Sequence, residues 1–273
     1  DASGNRFLLG SLAGNGVIAV TDDGTITQFA TEENRLSSVG LHIDEATNRL
    51  LVDYSDASVF SDPAALGTAA LGIYDLETAD LIQFVDLTAL YDGKHFANDL
   101  TVDADGNAYI TDSFSPVIYK VTPEGDASVF IEDENLGDSN FGLNGIDYHP
   151  DGFLLASVAG SASLWKIPVD DPSAMSQVEL SEPFGADGMI LDENGSLIAV
   201  AQVNGSASQE LIAVSSADGW QTAAIDQRVP IEGATTAAIR DGAVYVTYAQ
   251  LDQMGSNPPP DIFEIGRVDF PAS

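Results

Sequence analysis

Asn98 to Asp133 reads NDLTVDADGNAYITDSFSPVIYKVTPEGDASVFIED. Short apolar segments alternate with turns rich in Asp, Gly, Asn and Pro. LTVD and AYITD alternate at period two, and DADGN is built from residues that tolerate positive φ or fold a side chain back onto the backbone. The pattern is strand, Asp-rich turn, second strand, then a third and a fourth. Working outward, the same pattern returns as VGLHIDEATNRLLVDYSD from Val39, NGIDYHPDGFLLASVAGSASLWKIPV from Asn144, DGMILDENGSLIAVAQV from Asp187 and TTAAIRDGAVYVTYAQ from Thr235. A partial copy, DASGNRFLLGSLAGNGVIAVTDDGTITQF, opens the chain and matches the others from their first turn onward.

Six copies, the five with matched starts lying about 43 to 59 residues apart, match the length of a propeller blade. The expected architecture is therefore all-β: one domain over 1–273, a six-bladed β-propeller of four-stranded antiparallel blades around a central channel. Strands buried on both faces by neighbouring blades explain the unbroken apolar runs FLLASV and LIAVAQV. No copy carries a capped helix, and the only helical signal is a turn near Leu87 to Tyr91. The Pro run NPPPD at Asn257 to Asp261 reads as a stiff loop in the last blade.

Composition excludes whole classes of function. Of 273 residues, 9 are Lys or Arg and 43 are Asp or Glu, a formal charge of −34. A chain so acidic has no footprint for nucleic acid or for anionic lipid. With no cysteine there is no disulfide or thiolate chemistry, and no apolar run is long enough for a membrane-spanning helix. Hydrophobic residues at 44% set the chain apart from acidic disordered tails. So much carboxylate is best tolerated where cations screen it, which points to a secreted or periplasmic protein in a saline setting.

Ring geometry turns repeat positions into neighbours. The aligned inner strands open on Val39, Asn98, Asn144, Asp187 and Thr235, so three successive blades offer hard oxygen ligands at one level. Asn98, Asn144 and Asp187 suit one divalent cation, Ca²⁺ first and Mg²⁺ next; absent cysteine and paired histidine speak against structural zinc. Val39 shows that the level is not polar by default. His95, just before Phe96 to Asp99, is a candidate substrate contact at the channel mouth, whereas His42 reads as a packed core residue and His149 as a solvated turn residue. Asp105, Asp151 and Asn194 serve turns, and DADG and DENG lack the further ligand positions of an EF-hand loop.

ANDLTVDADGNAYITD, GLNGIDYHPDG and GADGMILDENG, in this order and spacing, resemble the three metal-site segments of the regucalcin/gluconolactonase-like six-bladed propellers, a family that includes phosphotriester-hydrolysing relatives. The resemblance covers nearly the whole chain. It implies one divalent ion at the channel mouth, with Asn144 and Asp187 as ligands, Asn98 as ligand or substrate contact, and Asp99 supporting Asn98 from behind. Mn²⁺ and Zn²⁺ join Ca²⁺ and Mg²⁺ as ions such a site accepts. The family also places a Glu ahead of the turn that DASGN matches, and this sequence begins after that point. The expectation is that the Glu and one or more N-terminal strands belong to residues upstream of Asp1.

G-x-S-x-G, Walker, H-E-x-x-H and G-x-G-x-x-G motifs are all absent. What remains is metal-assisted hydrolysis of a small lactone or ester, with water activated by Asp187 or by the ion itself. Two other readings share the fold: a propeller that binds a small ligand without turning it over, and a strictosidine-synthase-like condensing propeller.

Overall fold

The computed structural model describes residues 1–2, 4–14, 16–32, 35–139, 141–253 and 263–271. The NPPPD run lies outside them. Among the described residues there is no α-helix, only strands and single 3-10 turns, one of which, Thr88–Leu90, falls where the helical turn is expected.

Strands follow one another as meanders. The first sheet is β1 (Arg6–Leu9), β2 (Val17–Thr21) and β3 (Ile26–Ala30). The second is β4 (Ser37–Asp44), β5 (Arg49–Ser55), β6 (Gly67–Asp75) and β7 (Leu81–Asp86). The third is β8 (His95–Val102), β9 (Ala108–Asp112), β10 (Val117–Val121) and β11 (Ala127–Glu132). A two-residue parallel pairing of Gly67 and Thr68 with His95 and Phe96 joins the second and third. The fourth comprises β12 (Leu143–His149), β13 (Phe153–Val158), β14 (Ser163–Pro168) and β15 (Ser176–Gln177). In the fifth, β16 (Glu179–Leu180) lies beyond the outer edge of β17 (Phe184–Leu191), β18 (Leu197–Val203), β19 (Gln209–Ser215) and β20 (Thr222–Ile231). The last has β21 (Thr236–Arg240), β22 (Ala243–Tyr248) and β23 (Glu264–Val268).

The chain divides into two compact units, Asp1–Asn144 and Gly145–Ser273. In the first, every residue of β5 is buried, and its side chains part to opposite faces as strand geometry requires. Leu50, Val52 and Tyr54 pack with Val17 and Ala30 of the first sheet, while Leu51 packs with Ala97, Leu100 and Ile110 of the third. The second unit repeats the device. Ile198 and Val200 of β18 join Ala237 and Val246 of the last sheet, and Leu197, Ala199 and Ala201 join Leu155 and Leu164 of the fourth. Sheets covered on both faces account for the apolar runs without alternation, each buried Leu or Val contributing about 1.5–3 kcal/mol.

Candidate functional site

Three of the repeat positions singled out in the sequence, Val39, Asn98 and Asp187, share a backbone defect. Between Ser38 and Leu41, between Ala97 and Leu100, and between Ala186 and Met189 the inner strand advances three residues while its partner advances two. Each is a β-bulge, and the residues inside it are Val39-Gly40, Asn98-Asp99 and Asp187-Gly188. The aligned residues therefore lie within β4, β8 and β17 rather than at their first positions, because ladder pairing already runs ahead of the bulge. A bulge re-aims the side chain it carries, so equivalent positions receive equivalent orientations. Thr235 differs: it directly precedes β21, whose pairing with β22 is regular.

Close approach of backbones explains the glycines. A Cβ on Gly40 would stand 2.6 Å from Asn98 O, 2.8 Å from Asp99 Cα and 3.1 Å from Asp53 Oδ2. In the second unit, a Cβ on Gly145 would overlap Asp187 O, and one on Gly188 would overlap Thr236.

In the first unit Asn98 and Asn144 are tied together. The Asn98 amide donates to Ser113 Oγ at 2.8 Å, and that hydroxyl donates to Leu143 O at 2.7 Å. Two residues back, on β9, Thr111 Oγ1 donates to Asn144 O at 2.7 Å and accepts from Asp99 N at 3.2 Å. Asn144 is 6% exposed, and its Oδ1 is buried without a hydrogen-bond partner. A buried amide oxygen left so is costly, and a hard cation, a substrate donor or a bound water would satisfy it. Asp187 lies half-buried in the second unit. Asp99 carries its Oδ1 back to Leu100 N at 2.9 Å, which fixes the bulge that presents Asn98. Among the described residues no group of three or more His, Cys, Asp and Glu could hold a metal, so any ion here would rest on amide oxygens as well as carboxylate.

Asp53 is the residue that the sequence reading missed. It is fully buried in β5, neither of its oxygens has a partner, and burial, then the charge of Asp99, pushes its carboxyl well above the usual range. By register it is the counterpart of Thr111, since both sit one residue beyond the partner of the first residue after the bulge. The only sequence signal was a lone acid inside the apolar run LLVDYS.

His95 is placed elsewhere than expected. It is 2% exposed, with Nδ1 2.9 Å from Asp112 Oδ2 and 3.1 Å from the Tyr119 hydroxyl, which itself donates to Asp112 Oδ2 at 3.0 Å. The ring fastens β8 to β9 and β10, and a side chain so enclosed has no face for substrate. His42 is half-buried in β4, and His149, expected in solvent, stacks on Phe153 with ring centroids 4.4 Å apart. The DADG turn behaves as expected: Asp103 accepts from Asp105 N, Asn107 N and the Tyr109 hydroxyl at 2.9 Å each.

Comparisons with known proteins give no matching family model and no matching curated sequence. Solved structures do match. A gluconolactonase from Xanthomonas campestris is 18% identical, with 90% of this chain and 80% of that one covered and a TM-score of 0.59. A putative gluconolactonase is 15% identical, with 90% and 82% covered and a TM-score of 0.61. Virginiamycin B lyase from Staphylococcus aureus is 12% identical, with 88% and 76% covered and a TM-score of 0.59. A hydrolase and a lyase on one scaffold show that the fold leaves the chemistry to the site. The all-β chain has the fold of the gluconolactonase-like β-propellers.

Proposed function

We propose that this chain is a hydrolase of small neutral lactones or esters that uses Asn98, Asn144 and Asp187. The observation that carries the reading is the buried, unpartnered Oδ1 of Asn144, whose own backbone is linked through Thr111 to the bulge that holds Asn98. Asn144 and Asp187 would hold one divalent cation, Ca²⁺ before Mg²⁺, Mn²⁺ or Zn²⁺, with Asn98 as further ligand or substrate contact. When bound, the ion supplies polarisation of the ester carbonyl.

The chain's own residues do the rest. With its amide N–H held by Ser113, Asn98 would offer its amide oxygen as ligand or substrate contact. Asp187 accepts a proton as water adds to the carbonyl carbon, then returns it to the alkoxide when the acyl C–O bond breaks, giving a hydroxy acid. Asp99 keeps the bulge in shape, and Asp112 with Tyr119 anchors His95 at the start of the same strand. The wider setting proposed is extracytoplasmic and saline. No helix among the described residues is long and apolar enough to cross a membrane.

After chelation, adding each of the four ions in turn should raise the melting temperature and restore lactone hydrolysis, Ca²⁺ most. Asp187→Ala should lower kcat/KM at least about 100-fold while leaving metal-free melting close to that of the parent. Unchanged melting with every ion, together with no turnover, sinks the proposal; ligand binding without turnover would assign the non-catalytic propeller instead.

A further inference from the structure

Four phenylalanines of the first unit gather beside the Asn98–Ser113–Leu143 link. The Phe60 ring lies 4.8 Å from Phe96, 5.6 Å from Phe114 and 6.2 Å from Phe141, and Phe114 meets Phe141 edge-on at 5.8 Å. Each belongs to a segment that supplies the polar site or packs on one that does. Phe96 precedes Asn98 by two residues on β8, Phe114 follows Ser113, and Phe141 precedes Asn144 by three. The Phe141 segment is pinned by Gly142 N, which donates to Ser113 O at 2.9 Å.

Burial is graded across the cluster. Phe96 is 2% exposed, Phe114 and Phe141 are half-buried, and Phe60 is 55% exposed. Phe60 is held in place by the 3-10 turn Ala57–Phe60, capped by Asp56, whose Oδ1 accepts from Ser58 N at 2.9 Å. A capped turn thus keeps a large apolar ring largely in water, packed on Phe96 and Phe114, whose segments carry Asn98 and Ser113, an arrangement that suits an apolar ligand group. One exposed ring is far less than the roughly 800 Å² per partner of a stable protein interface, which favours a small molecule over a second chain. The chain's formal charge is −34, which disfavours an anionic ligand.

We propose that Phe60, Phe96, Phe114 and Phe141 form the wall that receives an aryl or alkyl substituent of the substrate, so that the preferred class is a neutral, apolar-substituted lactone or ester rather than a polyhydroxylated sugar lactone. This rests on the hydrolase reading for its reaction, but not for its binding test. γ-Phenyl-γ-butyrolactam, which resists hydrolysis, and unsubstituted γ-butyrolactam are titrated calorimetrically against the full chain with Ca²⁺. Turnover of the corresponding phenyl lactone is compared with that of an aldonolactone.

The phenyl lactam should bind at least roughly tenfold tighter than the unsubstituted one, and Phe60→Ala should erase most of that preference. Phe60 is exposed enough for the variant to fold, and its melting curve checks this. Equal binding of the two lactams, or a preference untouched by Phe60→Ala, overturns the wall. Aldonolactone turnover exceeding that of the phenyl lactone overturns it too, while leaving the hydrolase intact. A Phe60-dependent lactam preference with no lactone hydrolysed keeps the wall and removes the hydrolase.

Discussion

Asp53 shows how one side chain carries information that its neighbours in sequence conceal. At the equivalent register Thr111 gives its hydroxyl to the next inner strand, but Asp53 puts a carboxyl there, beside Asp99 and away from water. A carboxyl with a raised folded pKa keeps its proton where the unfolded chain has lost it. Below about pH 4 both states are protonated and Asp53 contributes no pH dependence. As pH rises from there toward the raised folded value, the folded state binds more protons and its stability falls. Asp53→Asn removes that ionisation. The melting temperature of the variant, measured against the parent's, should therefore improve between pH 3.5 and pH 7, and a difference that stays constant with pH would show Asp53 to be ionised in the fold. Asn98, Asn144 and Asp187 were legible as residues because they recur at one repeat position. The enclosure of His95 was not, because the acid and phenol that surround it come from two other strands.

At the scale of the strand, the informative feature is the bulge. The triplets Val39-Gly40-Leu41, Asn98-Asp99-Leu100 and Asp187-Gly188-Met189 announce it only after the pairing is known. Alternation at period two hides one extra residue in a run of eight. The glycines then separate two kinds of cost within the second unit. Gly145 has no room for a Cβ against Asp187 O, whereas Gly152, at φ 86°, has nothing within 4 Å. Gly145→Ala should lose about 1–3 kcal/mol in urea unfolding through overpacking and should also impair the proposed metal response. Gly152→Ala should lose about 1–2 kcal/mol through its left-handed backbone and leave that response alone. Equal effects of both variants on the metal response would mean that the close approach of Gly145 to the Asp187 bulge does not position the ligands.

For the molecule as a whole, charge sets the conditions under which the fold is stable. The repulsion among 43 acids and only 9 Lys and Arg is screened over about 30 Å at 0.01 M salt but about 3 Å at 1 M. The melting temperature should therefore climb by several degrees across that range in NaCl, and a flat or falling curve would refute self-repulsion as the cost of this composition. The sequence alone determined what depends on local pattern and on sums: strands and turns, the repeat, sheets covered on both faces, the net charge of −34 and the lack of cysteine. Side-chain alternation and net charge survive whatever the register. Tertiary structure decided the bulges, the enclosure of His95, the stranded carboxyl of Asp53 and the gathering of Phe60, Phe96, Phe114 and Phe141. Each of these depends on which backbones lie side by side, and strands far apart in the chain meet only through the hydrogen-bond register and packing of the folded sheets.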